Sequence, residues 1–256
     1  MGAVIGSFLN VVIYRTVTEE SWIHGRSKCD NCKVQIYWYD NLPILSYLFL
    51  KGKCRSCEQP ISLSYPVVEF LTGVLFVWWY WGGSLFFQLA QAPYQTLQPL
   101  FWLIIGVLLL IIVVADALYL IIPDILVALL TIVTVIYRLA LVFSGIMQPV
   151  DFLKALLGMV GGVVFIGGLW WFTKGKGMGF GDVKLIVPLT LLVGWPNAIV
   201  MFFLAFMAGA IAGLGLIVSK QKKFGQAIPF GPFLIIGCVL SLIWGDGLMS
   251  WYIGLL

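Results

Sequence analysis

Two aspartates lie where an aspartate is costly. Asp116 interrupts the apolar stretch from Leu100 to about Ile122, and Asp182 closes the run Gly175-Lys176-Gly177-Met178-Gly179-Phe180-Gly181-Asp182, directly before the apolar segment Val183 to Val193. A carboxyl group at membrane depth is a functional candidate by default. Two such groups sharing one proton can hydrolyse an amide unaided, because the ionised member activates water while the neutral member polarises the carbonyl. The pair titrates as a unit, so the sequence assigns the proton to neither. Each aspartate also has a purely structural reading. Asp182 can N-cap the apolar run that follows it, and Asp116 can hydrogen-bond a neighbouring helix.

Glycine at every second position before Asp182 lets the backbone take positive φ and approach other groups closely, which would present the acid without covering it. If the helix carrying Asp116 ends near Pro123, Asp116 lies about 10 Å inside its boundary, and a helix over Val183 to Val193 is only about 16 Å long. The two acids are therefore expected at compatible depths. A glycine-rich backbone at that depth must be buried in protein or line a water-filled cavity. Two further acids lie in or against apolar segments, each with two open readings. Glu69, expected in the first turn after Pro66, either serves the site or complements a helix dipole. Asp124 either serves the site or caps the next helix.

Cys29-x-x-Cys32 and Cys54-x-x-Cys57 lie in the one sizeable polar segment, Thr16 to Ser64. Two such pairs can supply four thiolates to one tetrahedral Zn²⁺, and a segment of about 50 residues has little core of its own. A redox-active pair is the competing reading. Cys238, alone in an apolar span, reads as a packing residue. His24 is the only histidine. A single histidine excludes a histidine-rich metal centre.

The elements that must position these groups are membrane helices. Of 256 residues, 61% are hydrophobic and 10% charged, with mean hydropathy +1.03, far outside soluble composition. The fold class expected is an all-α polytopic membrane protein with about eight transmembrane helices and a small zinc-binding cytoplasmic domain between the first two. The candidate spans are Met1 to Tyr14, Tyr65 to Trp81, Leu100 to about Ile122, Ile125 to Phe143, Phe152 to Phe172, Val183 to Val193, Ala198 to Val218 and Pro229 to Gly254. The first is short, and reads as a truncated helix or as one that starts within the bilayer. Residues 1–15 are thus a first transmembrane helix, 16–64 a cytoplasmic zinc-binding segment and 65–256 a membrane-embedded domain. The net charge of +4 does not point to nucleic acid, because the Lys and Arg cluster in three blocks. These are Arg15 to Arg55, Lys174 to Lys184 and Lys220 to Lys223, and the positive-inside rule places all three in the cytoplasm. Trp78, Trp79, Trp81, Trp195 and Trp251 read as interfacial anchors, and Gly158 with Gly162 and Gly209 with Gly213 as close-packing faces.

Several segments recur in one order: Gly6-Ser7-Phe8-Leu9-Asn10-Val11-Val12-Ile13-Tyr14-Arg15, both CxxC pairs, Asn41-x-Pro43-x-x-Ser46, Tyr65-Pro66-x-x-Glu69, Asp116 with Ile122-Pro123-Asp124, Gly179-Phe180-Gly181-Asp182 followed by Lys184, and Ile228-Pro229-Phe230-Gly231-Pro232. In combination they resemble the type IV prepilin peptidases, the GxGD aspartic proteases of the bacterial cytoplasmic (inner) membrane, over almost the whole chain. The resemblance implies removal of the short basic leader of type IV prepilins or type II secretion pseudopilins, after a glycine at the cytoplasmic face. It also implies N-methylation of the new terminus from S-adenosylmethionine, for which the chain has no strand-loop-helix motif of its own. By the same resemblance Asp116 and Asp182 are catalytic, Gly179, Gly181, Lys184, Pro123, Asp124 and Glu69 support them, and the protein's partners are prepilin or pseudopilin and membrane lipid. Two other classes fit the residues alone: a carboxylate-lined ion or proton transporter with a zinc-stabilised cytoplasmic lobe, and a membrane-anchored zinc-ribbon adaptor.

Overall fold

The computed structural model describes residues 1–18, 20–21, 25–29, 31–83, 89, 92–220 and 228–254. His24, Lys222 and Lys223 lie outside the described residues. Among those described, regular structure is helical: α1 (Gly2–Val17), a 3-10 turn (Trp38–Asn41), α2 (Leu45–Phe49), α3 (Ser64–Gly82), α4 (Tyr94–Tyr119), α5 (Asp124–Phe143), α6 (Pro149–Phe172), α7 (Phe180–Val193), α8 (Asn197–Val218) and α9 (Gly231–Ile253). Extended pairing is limited to two isolated antiparallel bridges, Lys28 with Gln35 and Lys53 with Pro60.

Every expected apolar segment forms a helix, and the chain is a multi-pass membrane protein. Among the described residues, length and composition alone do not establish all eight expected spans. Five helices, α4, α5, α6, α8 and α9, are long and apolar enough to cross a bilayer. With 14 residues, α7 extends about 21 Å, and α1, with 16, about 24 Å, against a hydrocarbon core of about 30 Å. The carboxy-terminal half of α3 carries Trp78, Trp79, Tyr80 and Trp81, interfacial rings rather than aliphatic residues.

The chain divides into two compact units, Met1–Val114 and Ala115–Leu256. In the first, α1 packs against α3. The close approach is set by Gly6, where a Cβ would lie 2.7 Å from the Glu69 Cα. At the end of α1, the buried Arg15 donates to the carbonyls of Ser21 (2.9 Å) and Gly25 (3.0 Å), which ties down the start of the cysteine segment.

The second unit is built around α7, against which α5, α6, α8 and α9 all pack. Val183, Leu185, Ile186, Leu189, Leu191 and Leu192 are all buried on it. A helix apolar all round belongs in a core. Gly162 lets α6 press on this core: a Cβ there would sit 2.9 Å from the Phe202 ring and 3.1 Å from Ile186 and Thr190 methyls. The tightest α8–α9 approach is at Gly237, whose added Cβ would lie 2.5 Å from the Met201 carbonyl oxygen. Gly209 and Gly213, expected to form such a face, instead meet Phe230, Phe233 and Ile228 side chains. The carboxy-terminal end of α7 is finished by Arg138 of α5, which donates to the Leu192 carbonyl at 3.1 Å. An arginine thus takes the place of the water that an exposed helix end would use.

Candidate active site

The helix carrying Asp116 ends earlier than its sequence suggests. Leu120 adopts φ 55°, and α4 stops at Tyr119, leaving residues 120–123 as an extended turn before Pro123 opens α5. Asp116 therefore sits in the last turn of α4, not two turns inside it. It is 5% exposed. Its Oδ2 accepts the backbone N–H of Gly231, the first residue of α9, at 3.0 Å. This N–H is one of the unpaired donors of a helix amino-terminus, and the Asp116 oxygen satisfies it.

Asp182 lies at the opposite kind of helix end, in the first turn of α7. The helix begins at Phe180 rather than Val183, with Gly179 as its N-cap residue, so Asp182 is the third helical residue and not the cap itself. Its Oδ2 reaches back to accept the Gly179 N–H at 3.2 Å. The side chain is 6% exposed, and the charge of Asp116 acts on it. Both carboxyl groups are thus buried, electrostatically coupled and held through one oxygen by a backbone N–H at the start of a helix.

Ile122 fills the space between the two anchoring backbones. A Cβ at Gly181 would meet the Ile122 side chain at 3.1 Å, and one at Gly231 would meet it at 3.3 Å. The expected positive φ of the alternating glycines is found only at Gly175 (φ 72°), in the turn that leaves α6. Gly179 is extended and Gly181 helical, so Gly181 is required for space rather than for conformation. Gly181→Val should therefore cut any turnover strongly. Gly179→Val should do so less, because a Cβ at Gly179 stands an ordinary 3.6 Å from Asp182 Oδ2. Equal turnover in wild type and Gly181→Val would show that the contact with Ile122 is dispensable.

Of the other candidates, Asp124 and Lys184 meet each other. Lys184 Nζ lies 2.7 and 2.8 Å from the two Asp124 oxygens and 5.2 Å from the Phe180 ring centroid. The pair ties the start of α5 to the amino-terminal half of α7. Asp124 makes no side-chain cap for α5, whose N-cap is the buried Pro123. Glu69 belongs to the first unit. Because α3 starts at Ser64, Glu69 lies in the second helical turn, past the reach of the dipole reading. It is 8% exposed, accepts the Ile44 N–H at 2.7 Å and is hydrogen-bonded by Ser7. Ile44 has φ 61°, a conformation that costs a β-branched residue energy and persists only when its surroundings impose it. Sequence reasoning missed the Gly231 N–H, the Ile122 wedge and the Arg138 cap. Only the Phe230-Gly231-Pro232 break before the last apolar segment signalled the first of these.

The four cysteines of the polar segment converge. Their sulfurs all lie within 4.8 Å of one another, and Cys29 Sγ is 3.8 Å from Cys57 Sγ. A tetrahedron of Zn–S bonds of about 2.3 Å has edges of about 3.8 Å. The two halves repeat one knuckle. Cys29 and Cys54 each donate an N–H to the residue five positions on, Val34 and Gln59, at 3.0 and 2.9 Å. Lys33 and Glu58, following the second cysteine of each pair, take φ 57° and 55°. The Gln59 N–H holds the Cys57 thiol down to about 6, and the N–H groups of Cys32 and Asn31 hold Cys29 below its usual range. All five cysteines are free thiols. The donor set and its spacing fit a closed four-thiolate zinc site, whose contribution is to folding, not catalysis. Metal analysis should return about one zinc per chain, and replacing all four cysteines by serine should remove it and open this segment to proteolysis. Unchanged metal content in that variant would contradict the assignment.

Residues 1–82 match a family model described as the bacterial peptidase A24 N-terminal domain, and residues 103–214 one described as the type IV leader peptidase family. Among curated relatives, the prepilin leader peptidase/N-methyltransferase of Aeromonas hydrophila is 32% identical over 97% of this chain and 90% of its own length. Proteins of the same name from Legionella pneumophila (31%, over 98% and 91%) and Bacillus subtilis (31%, over 98% and 95%) align as fully. No solved structure gives a significant match.

Proposed function

Because this chain belongs to the type IV leader peptidase family, we propose that it is a membrane-embedded aspartic endopeptidase that removes the leader of type IV prepilins or pseudopilins at the cytoplasmic face of the inner membrane. The observation that carries the mechanism is the matched pair of buried aspartates, each anchored through Oδ2 by a backbone N–H. Anchoring one oxygen leaves the other for chemistry. With one proton shared between them, the ionised carboxylate takes a proton from water as the water oxygen attacks the scissile carbonyl carbon. The neutral carboxyl group hydrogen-bonds the carbonyl oxygen, and the tetrahedral species then collapses as the amine leaves with a proton. Burial strengthens each of these interactions by excluding competing water. Lys184 and Asp124 align the two carrier segments, and Gly179, Gly181 and Pro123 shape them. Glu69 holds the Ile44 turn in the half of the chain that carries the four cysteines.

Methylation of the new amino-terminus is proposed from the name of the relatives. The first unit offers a cleft of about 620 Å³ whose lining includes Asn10, Arg15, Tyr65 and Glu69, within the range of small-molecule sites and large enough for S-adenosylmethionine. When bound, that compound supplies a methyl group to a neutral amine and departs as a thioether.

The test is incubation of the purified protein with a prepilin, with and without S-adenosylmethionine, followed by mass analysis of the new terminus. Cleavage after the leader supports the peptidase reading, and a gain of one methyl group only when the donor is present supports the second activity. An intact prepilin would overturn the reading in favour of an ion-conducting or adaptor role.

A further inference from the structure

On the surface of the second unit, α6 and α8 leave an apolar groove of about 500 Å³ bordered by Phe165 of α6 and by Ile199, Phe202, Phe203, Phe206 and Met207 of α8. Ile199 and Phe203 are 50% and 65% exposed. The groove is not an isolated apolar surface. Phe165 meets Phe206 edge to face at 6.2 Å, and Phe206 lies 5.2 Å from Phe230. Phe230 is the N-cap residue of α9, and the next residue, Gly231, donates its N–H to Asp116. An unbroken aromatic path therefore runs from the groove to the anchor of one carboxyl group.

The groove also has a direction. From Phe206 its lining continues through Phe203 and Phe202 to Ile199, toward the amino-terminal end of α8 and away from Lys220 at the other end. That is seven residues, or about 10 Å of helix axis, running outward from the level of the aspartates if the basic blocks face the cytoplasm. A substrate whose basic leader stays in the cytoplasm must place the apolar helix that follows the cut on this outward side.

We infer that the α6–α8 groove is the docking surface for the apolar helix of the substrate, which enters from lipid and lies along α8 with its cleavage site at the Gly231 end. The inference rests on the peptidase reading above and deepens it. Apolar side chains of the entering helix pack between the phenylalanine rings by shape and dispersion, since lipid offers no hydrophobic gain for leaving it. The scissile segment then leaves helical geometry only where the path reaches Asp116.

The test uses the full-length protein in membranes with an intact prepilin. A photoreactive phenylalanine analogue replaces Ile199 or Phe203 in turn, or Ile136 as a lipid-exposed control on α5, in an Asp182→Asn background that retains uncleaved substrate. Illumination should produce an adduct of enzyme plus prepilin from positions 199 and 203, mapped to the apolar helix beyond the cut, and none from 136. Adducts with lipid alone, with a second copy of this chain, or equally from 136 would overturn the groove. Cleavage of the same prepilin by the unsubstituted protein is measured in parallel. Cleavage without specific adducts defeats the docking inference alone, whereas absence of cleavage defeats the peptidase reading itself.

Discussion

Asparagine at Asp116 or Asp182 should abolish prepilin cleavage while leaving the protein in the membrane with its metal content the same as in wild type. Asparagine preserves the shape of the side chain and its carbonyl oxygen, so the backbone bonds from Gly231 and Gly179 can persist. It can neither take a proton from water nor share one with the second carboxyl group. A positioned acid or base contributes roughly 10² to 10⁴ in rate, and here each substitution removes one partner and uncouples the other. The expected loss is on the order of 10³-fold or more for either variant, and the double variant should be little worse than each single one, as for residues that act as a unit. Asp151→Asn is the control, because that carboxylate is exposed and, among the described residues, is paired with Lys154 alone, at 3.3 Å. A single variant at Asp116 or Asp182 that cleaves at near the wild-type rate would remove that residue from the mechanism.

Gly231→Ala should come second, although glycine has no side chain with which to do chemistry. A Cβ at this position would lie 2.6 Å from Asp116 Oδ2, closer than any ordinary contact. Either the carboxyl group rotates away from the N–H that holds it or the start of α9 retreats. A misplacement of about 1 Å at a reacting group costs about 10²-fold in rate, and a hydrogen bond to a charged group contributes about 1.5–3 kcal/mol. Cleavage should therefore fall about 10²-fold. Gly247→Ala in the same helix should leave it unchanged, because nothing lies within 4 Å of the added atom. Comparable cleavage by the Gly231 and Gly247 variants would mean that Asp116 does not need its α9 partner.

The aspartates were legible because a carboxylate in an apolar run is costly wherever the run folds, so its rarity is visible locally. Gly231 was not legible as an anchor. One more glycine before an apolar segment carries no mark of the side chain it will face, and this one faces a carboxylate 115 residues earlier. The alternating glycines before Asp182 misled in a related way. Their pattern suggested a run of unusual backbone angles, but helix α7 absorbed Gly181, and the residue is needed because Ile122 occupies the space beside it.

The amino-acid sequence by itself determined that this is a helical membrane protein with a four-cysteine cluster, because hydropathy over about 20 residues and paired CxxC spacing are properties of short stretches of chain. Tertiary structure alone decided how the acids are partnered. It gave Asp116 to the amino-terminus of α9, returned Asp182 to its own helix start, set Asp124 against a lysine 60 residues away and committed Glu69 to the backbone of Ile44. Each of these is a choice among several available donors, and for Asp116, Asp182 and Glu69, though not for the exposed Asp124, burial makes the choice binding. Once water is excluded, a carboxyl group must be satisfied by whatever N–H or ammonium the packing of distant segments delivers to it.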